Sequence, residues 1–147
     1  MARYTIDAPT LLHLVDHGLR VDPTVQLVAP AGIRSEALGL LLRDVTAGRR
    51  TDAAALAAHE RITELKIRVL NDRVSRGTAW RIARRRGWET LRDAEYLAIA
   101  TLQADALVTV DPALAATAAG EVPLADLESL LGEGTDAGTG AGSVSPR

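Results

Sequence analysis

Short runs of consecutive apolar residues alternate along this chain with longer stretches in which apolar residues recur every three or four positions. Tyr4–Asp7 (YTID), Val25–Ala29 (VQLVA), Ile67–Leu70 (IRVL) and Ala106–Val110 (ALVTV) read as strands. Glu121–Leu124 adds a fifth candidate. Helical spacing covers Thr10–Val15, a stretch opened by Pro30, then Ala53–Leu65, Arg73–Arg86, Leu91–Gln103 and Pro112–Ala119. In the second of these, Leu38, Leu41, Leu42 and Val45 are placed on one inward face. Gly48, Gly87 and Gly120 end helices. Strand–helix alternation of this kind predicts an α/β domain: a central, mostly parallel sheet of about five strands, with helices on both faces. The apolar strands suit burial on both sides.

Composition narrows the chemistry. The chain has 147 residues, enough for one domain with a sizeable core. That core is aliphatic, since only 3% of residues are aromatic. There is no cysteine. This excludes a disulfide scaffold, a thiol nucleophile and a cysteine-based zinc site, and fits a cytoplasmic setting. No segment reads as a signal peptide or a membrane span. Residues 1–131 form the predicted domain. Residues 132–147 (GEGTDAGTGAGSVSPR, from Gly132) are rich in Gly, Ala, Ser and Thr and are expected to be disordered. The net charge of -2 is unevenly spread: residues 61–92 carry a net +7 and residues 93–147 a net -8. A basic belt beside an acidic region suits a polyanion held near a cation-binding centre, although solvated helix faces produce the same pattern.

Two strands end in the same way, in Thr-x-Asp followed closely by proline: Thr5-Ile6-Asp7 and Thr109-Val110-Asp111. Ligands in parallel sheets bind outside the carboxyl ends of the strands, so Asp7 and Asp111 lie at the functional edge. If the two strands are neighbours, their carboxylates can meet. Glu36 and Asp93 sit near the starts of helices and extend the set to four. Each acid also has a purely structural explanation. Asp7 and Asp111 suit helix caps, Asp111 with proline at the first helical position. Thr90-Leu91-Arg92-Asp93 suits a capping box. Glu36 suits the positive end of a helix. Together, however, clustered carboxylates repel one another unless cations neutralise them. Hard divalent ions are the natural partners of oxygen ligands, and with a phosphodiester they support hydrolysis.

The order Asp7, Glu36, Asp93, Asp111 resembles the acidic quartet of PIN-domain ribonucleases. YTIDAPTLL resembles the first strand and its Asp, and APAGIRSEALGLLL the helix carrying the Glu. TLRDAEYLAIATLQADALVTVDPAL resembles the later helix and the strand ending in Thr-x-Asp. The likeness covers about residues 3–125 and is nearest to VapC-type toxins of bacterial toxin–antitoxin pairs. It implies a PIN-like three-layer α/β/α fold and a Mg²⁺- or Mn²⁺-dependent endoribonuclease. Asp7, Glu36, Asp93 and Asp111 would then be catalytic metal ligands, with Asp7 and Asp111 innermost and Thr109 orienting the site. It further implies an RNA substrate, a cognate antitoxin and a homodimer, with no membrane association. One position departs from the pattern: Pro9 stands where many relatives have Ser or Thr, and Thr10 is the candidate replacement. A catalytically silent PIN-like module that binds RNA or protein is the alternative.

Other features add less. His13 and His17 are one helical turn apart, but no third ligand is near in sequence, so a surface pair is expected. Arg81, Arg84, Arg85 and Arg86, with Trp88, form a candidate RNA- or antitoxin-binding face. Helix periodicity sends Trp80, Ile82 and Ala83 inward, and Tyr96 and Leu97 are assigned to the core. A phosphoryl-receiver domain shares the acidic strand ends but requires a lysine there. Lys66, the only lysine, starts a strand and lies at the wrong edge.

Overall fold

The structure, a computed structural model, describes residues 1–132. The predicted tail lies outside the described residues except for Gly132. Four parallel strands form one sheet: β1 (Ala2–Ile6), β2 (Val25–Pro30), β3 (Arg68–Leu70) and β4 (Ala106–Val108), in the order β3-β2-β1-β4. β1 and β2 therefore occupy the centre. Six helices connect and cover them: α1 (Ala8–Asp16), α2 (Ile33–Thr46), α3 (Asp52–Glu64), α4 (Arg73–Arg86), α5 (Arg92–Gln103) and α6 (Pro112–Ala118). A short 3-10 turn, Leu127–Leu130, follows.

The expected three layers are present. One apolar cluster joins Ile6, Leu27 and Ala29 of the sheet to α1, α2 and α3. The other joins Leu107 to α4, α5 and α6 through Ala83, Leu97 and Leu114. No described helix is long and apolar enough to cross a membrane.

Local chemistry explains most boundaries. The Asp7 carboxylate accepts the Thr10 N–H and caps α1; Thr51 caps α3 through the Ala54 N–H at 3.1 Å. Asp72 caps α4 through Ser75, and Gly87 ends that helix in the left-handed region at φ 69°.

Four expectations are corrected. The fifth strand does not form: Leu124 makes only an isolated bridge to Leu107, because Pro123 supplies a carbonyl but no N–H to a ladder. Pro30 ends β2 rather than opening α2, which starts at Ile33. The face of α2 that packs inward carries Ile33, Ala37 and Leu41, whereas Leu38 and Leu42 are exposed. Trp80 is also exposed, while Ile82 and Ala83 are buried as expected.

Candidate active site

The β1–β4 register pairs Tyr4 with Ala106, Thr5 with Leu107 and Ile6 with Val108. Continued by one residue, it sets Thr109, not Asp111, beside Asp7. The Thr109 hydroxyl donates to Asp7 Oδ2 at 2.8 Å and accepts the Asp111 N–H at 3.0 Å. Thr10 makes a matching bridge from the other side. Its hydroxyl donates to Asp7 Oδ1 and accepts the Val110 N–H at 3.0 Å. Two threonines thus tie one carboxylate to the chain leaving β4. Thr10, one residue after Pro9, makes the hydrogen bond to Asp7 that proline has no hydroxyl to make. The two Thr-x-Asp strand ends are not equivalent, since the Thr5 hydroxyl is buried without a partner.

Asp7 is almost fully buried. Burial pushes its carboxyl above the usual range, against the opposing effect of the Thr10 and Thr109 hydroxyls. Asp111, half-buried, caps α6 by accepting the Ala113 N–H at 2.9 Å. The Thr90 capping box does not form: Leu91 precedes the first turn of α5, with no side-chain cap. Asp93 is thereby free of that structural duty.

Glu36 projects from the first turn of α2 to α5, where it meets Arg92 (Nε–Oε2 3.4 Å). Burial opposes the Arg92 charge, yet Glu36 and then Asp93 hold the guanidinium more firmly protonated than usual. Glu95 is half-buried without a hydrogen-bond partner, and its carboxyl is raised by burial and then by Glu36. The Tyr96 hydroxyl is buried and faces the Glu36 carboxylate without a well-formed hydrogen bond. Burial, followed by the negative charges of Glu36 and Asp7, raises its ionisation far above normal. Tyr96 thus belongs both to the core and to the site.

Arg92, Glu95 and Tyr96 are additions to the predicted set. The signal was in the sequence: they flank Asp93 on successive turns of one helix that enters at the functional edge.

The donor chemistry, carboxylate and hydroxyl oxygen, suits a hard divalent cation. The desolvated Asp7 carboxyl is the group such an ion would relieve. The spacing is looser than the sequence reading required. Among the described residues, no three His, Asp or Glu side chains lie close enough to ligate one ion together. Asp7 and Glu36 share Tyr96 as a neighbour. Asp111 turns to its helix, and Arg92 supplies the counter-charge at Glu36.

The arginine face divides. Arg85 forms a two-oxygen ion pair with Glu121 (2.7 and 2.8 Å). Arg86 donates to the Thr117 carbonyl, pairs with Glu121 and stacks 5.2 Å from the centre of the half-buried Trp88 ring. These contacts brace α4 against the end of α6. Arg81 and Arg84 remain exposed, Arg81 touching only Thr78 within its own helix. His13 and His17 stack at 4.1 Å on the surface of α1. A groove of about 840 Å³ lies at the opposite, amino-terminal edge of the sheet, lined by Leu19, Val21, Leu65 and Ile67, and holds none of the predicted site residues.

No protein-family model matches the chain, and no curated protein matches it. Among solved structures, the chain is similar to the crystal structure of PAE2754 from Pyrobaculum aerophilum. The likeness has a TM-score of 0.65 and 26% sequence identity, over 88% of this chain and 93% of that one. It agrees with the three-layer α/β/α architecture.

Proposed function

We propose that this chain is a PIN-domain endoribonuclease of the VapC toxin type, dependent on Mg²⁺ or Mn²⁺. The observation that carries the reading is the buried Asp7 carboxylate at the carboxyl end of a central strand. Two hydroxyls aim it, and Glu36 and the buried Tyr96 hydroxyl stand nearby. A desolvated carboxylate is costly to the metal-free fold and suits a site that acquires positive charge.

In this reading Asp7 and Glu36 would hold the ion, with Asp93 and Asp111 completing the set from the rim. Bound there, the ion would polarise the scissile phosphate and activate a water. Thr10 and Thr109 fix the Asp7 orientation, so the carboxylate does not lose a rotamer when the ion arrives. Arg92 neutralises Glu36 in the metal-free protein. Arg81 and Arg84 offer phosphate contacts outside the centre. A cytoplasmic setting, a cognate antitoxin and a homodimer belong to the same proposal.

The second reading, a catalytically silent module binding RNA or protein, draws on the separation of Asp111 from Asp7 and on the Arg92–Glu36 contact.

A thermal melt against Mn²⁺ concentration, run beside Asp7→Asn, separates the two. A metal that binds only the native state adds about 2.7 kcal/mol of stability at one hundred times its dissociation constant. The parent midpoint should therefore climb with Mn²⁺ and the variant midpoint stay flat, with RNA cleavage following the same pattern. Flat midpoints and no cleavage in the parent would overturn the nuclease reading.

A further inference from the structure

A cavity of about 250 Å³ adjoins the acidic centre at the carboxyl ends of β2 and β3. Pro30, Leu70 and Ile99 give it an apolar floor, and Glu95, Arg76 and Asn71 supply polar groups at its walls. Glu95 of α5 and Gly32, the residue before α2, both line the cavity, which places it beside the helix starts that carry Asp93 and Glu36. The half-buried Glu95 carboxylate has no donor among the described residues. An ionised carboxylate is an acceptor only, so what it lacks is a hydroxyl or N–H donor.

Arg76 supplies the complementary charge. One nitrogen, Nη1, donates to the Asn71 carbonyl at 2.7 Å and to Asn71 Oδ1 at 3.3 Å, which anchors the guanidinium on the cavity wall. Its other N–H groups have no acceptor among the described residues, and the side chain is exposed. A ligand that fits both must bring an anion to Arg76, a hydroxyl to Glu95 and a flat apolar body to the floor.

We propose that this cavity is a subsite for one ribonucleotide flanking the cleaved phosphate. Glu95 accepts a hydrogen bond from the ribose 2′-hydroxyl and Arg76 holds the phosphate. The 2′-hydroxyl is the group that distinguishes RNA from DNA, and Glu95 is the specificity-determining residue. A site built around a substrate hydroxyl rejects the analogue lacking it, because its own polar group is then left unpaired. The assignment rests on the nuclease reading for its choice of ligand, but its test does not require the metal.

Calorimetric titrations with uridine 5′-monophosphate and 2′-deoxyuridine 5′-monophosphate, both in EDTA, test it. The parent protein should bind the ribonucleotide at least about tenfold more tightly. Glu95→Ala should bind the two with equal affinity, with an unchanged or raised melting midpoint because the carboxylate it removes has no partner. Arg76→Ala should weaken both by the same factor. Equal affinities in the parent, discrimination surviving in Glu95→Ala, or no binding of either nucleotide would overturn the assignment. Such a failure would leave the Mn²⁺ melt untouched, and a flat Mn²⁺ melt beside clear ribose discrimination would overturn the nuclease reading alone.

Discussion

Replacing Thr10 by valine keeps the shape of the side chain and deletes one hydroxyl. Thr10 is fully buried, so water does not take its place. Two interactions vanish: the bond to Asp7 Oδ1 and the acceptor for the Val110 N–H. A hydrogen bond to a charged group contributes about 1.5–3 kcal/mol, and a buried donor left unpaired costs about 1–3 kcal/mol. Partial relaxation at the end of β4 reduces the second contribution. The expected loss at pH 7 is about 2–4 kcal/mol, or a midpoint roughly 7–14 °C lower for a domain of this size. The loss should also depend on pH. The Thr10 hydroxyl lowers the Asp7 carboxyl, opposing burial. Deleting it raises the folded-state value further above that of the unfolded chain. A carboxyl raised on folding favours the native state only while protonated, and that advantage fades as pH rises through the folded value. The variant must therefore lose more relative to the parent at pH 7 than near pH 4, where the Val110 N–H dominates the cost. Urea unfolding of Thr10→Val, Thr10→Ser and the parent at both pH values is the assay. Serine, which keeps the hydroxyl, should retain most of the stability. A cost below about 1 kcal/mol at pH 7, or an equal cost at both pH values, would refute the reasoning.

Two more outcomes follow from the same geometry. Tyr96→Phe removes a buried hydroxyl that faces the Glu36 carboxylate without a well-formed hydrogen bond, so the metal-free protein should change by less than about 1 kcal/mol in urea titrations, and a larger loss would mean that the hydroxyl is bonded to Glu36. Asp111→Ala deletes the cap of α6 and should cost about 0.5–2 kcal/mol by the same measurement, whereas Asp111→Asn should cost much less, because an amide oxygen also accepts the Ala113 N–H.

The edge of the sheet where the carboxylates gather was legible in the sequence. Apolar runs such as VQLVA and ALV have no amphipathic alternation, which marks strands covered on both faces. Their alternation with helices implies a parallel sheet and places Asp7 at its carboxyl end. Gly87 announced the end of α4, because a helix stop is local chemistry.

What lay beyond the sequence was pairing across the chain. The spacing Thr-x-Asp is the same in β1 and β4, yet the register between the strands sets Thr109 against Asp7 and carries Asp111 past it to α6. Register depends on contacts between residues about a hundred positions apart, and no local pattern encodes it. The meeting of Glu36 with Arg92 and Tyr96 is decided in the same way, by how the starts of α2 and α5 converge at the carboxyl edge of the sheet. The rotation of α2 follows too. Four leucine-rich positions suggested one inward face, but its neighbours α1 and α3 accept Ile33, Ala37 and Leu41, leaving Leu38 and Leu42 at the surface. By itself, the sequence determined the parallel α/β class, the edge of the sheet at which Asp7 lies and the kinds of group gathered there. Tertiary packing decided which of those groups touch, because distance between side chains is set by register and helix rotation rather than by the identity of the residues alone.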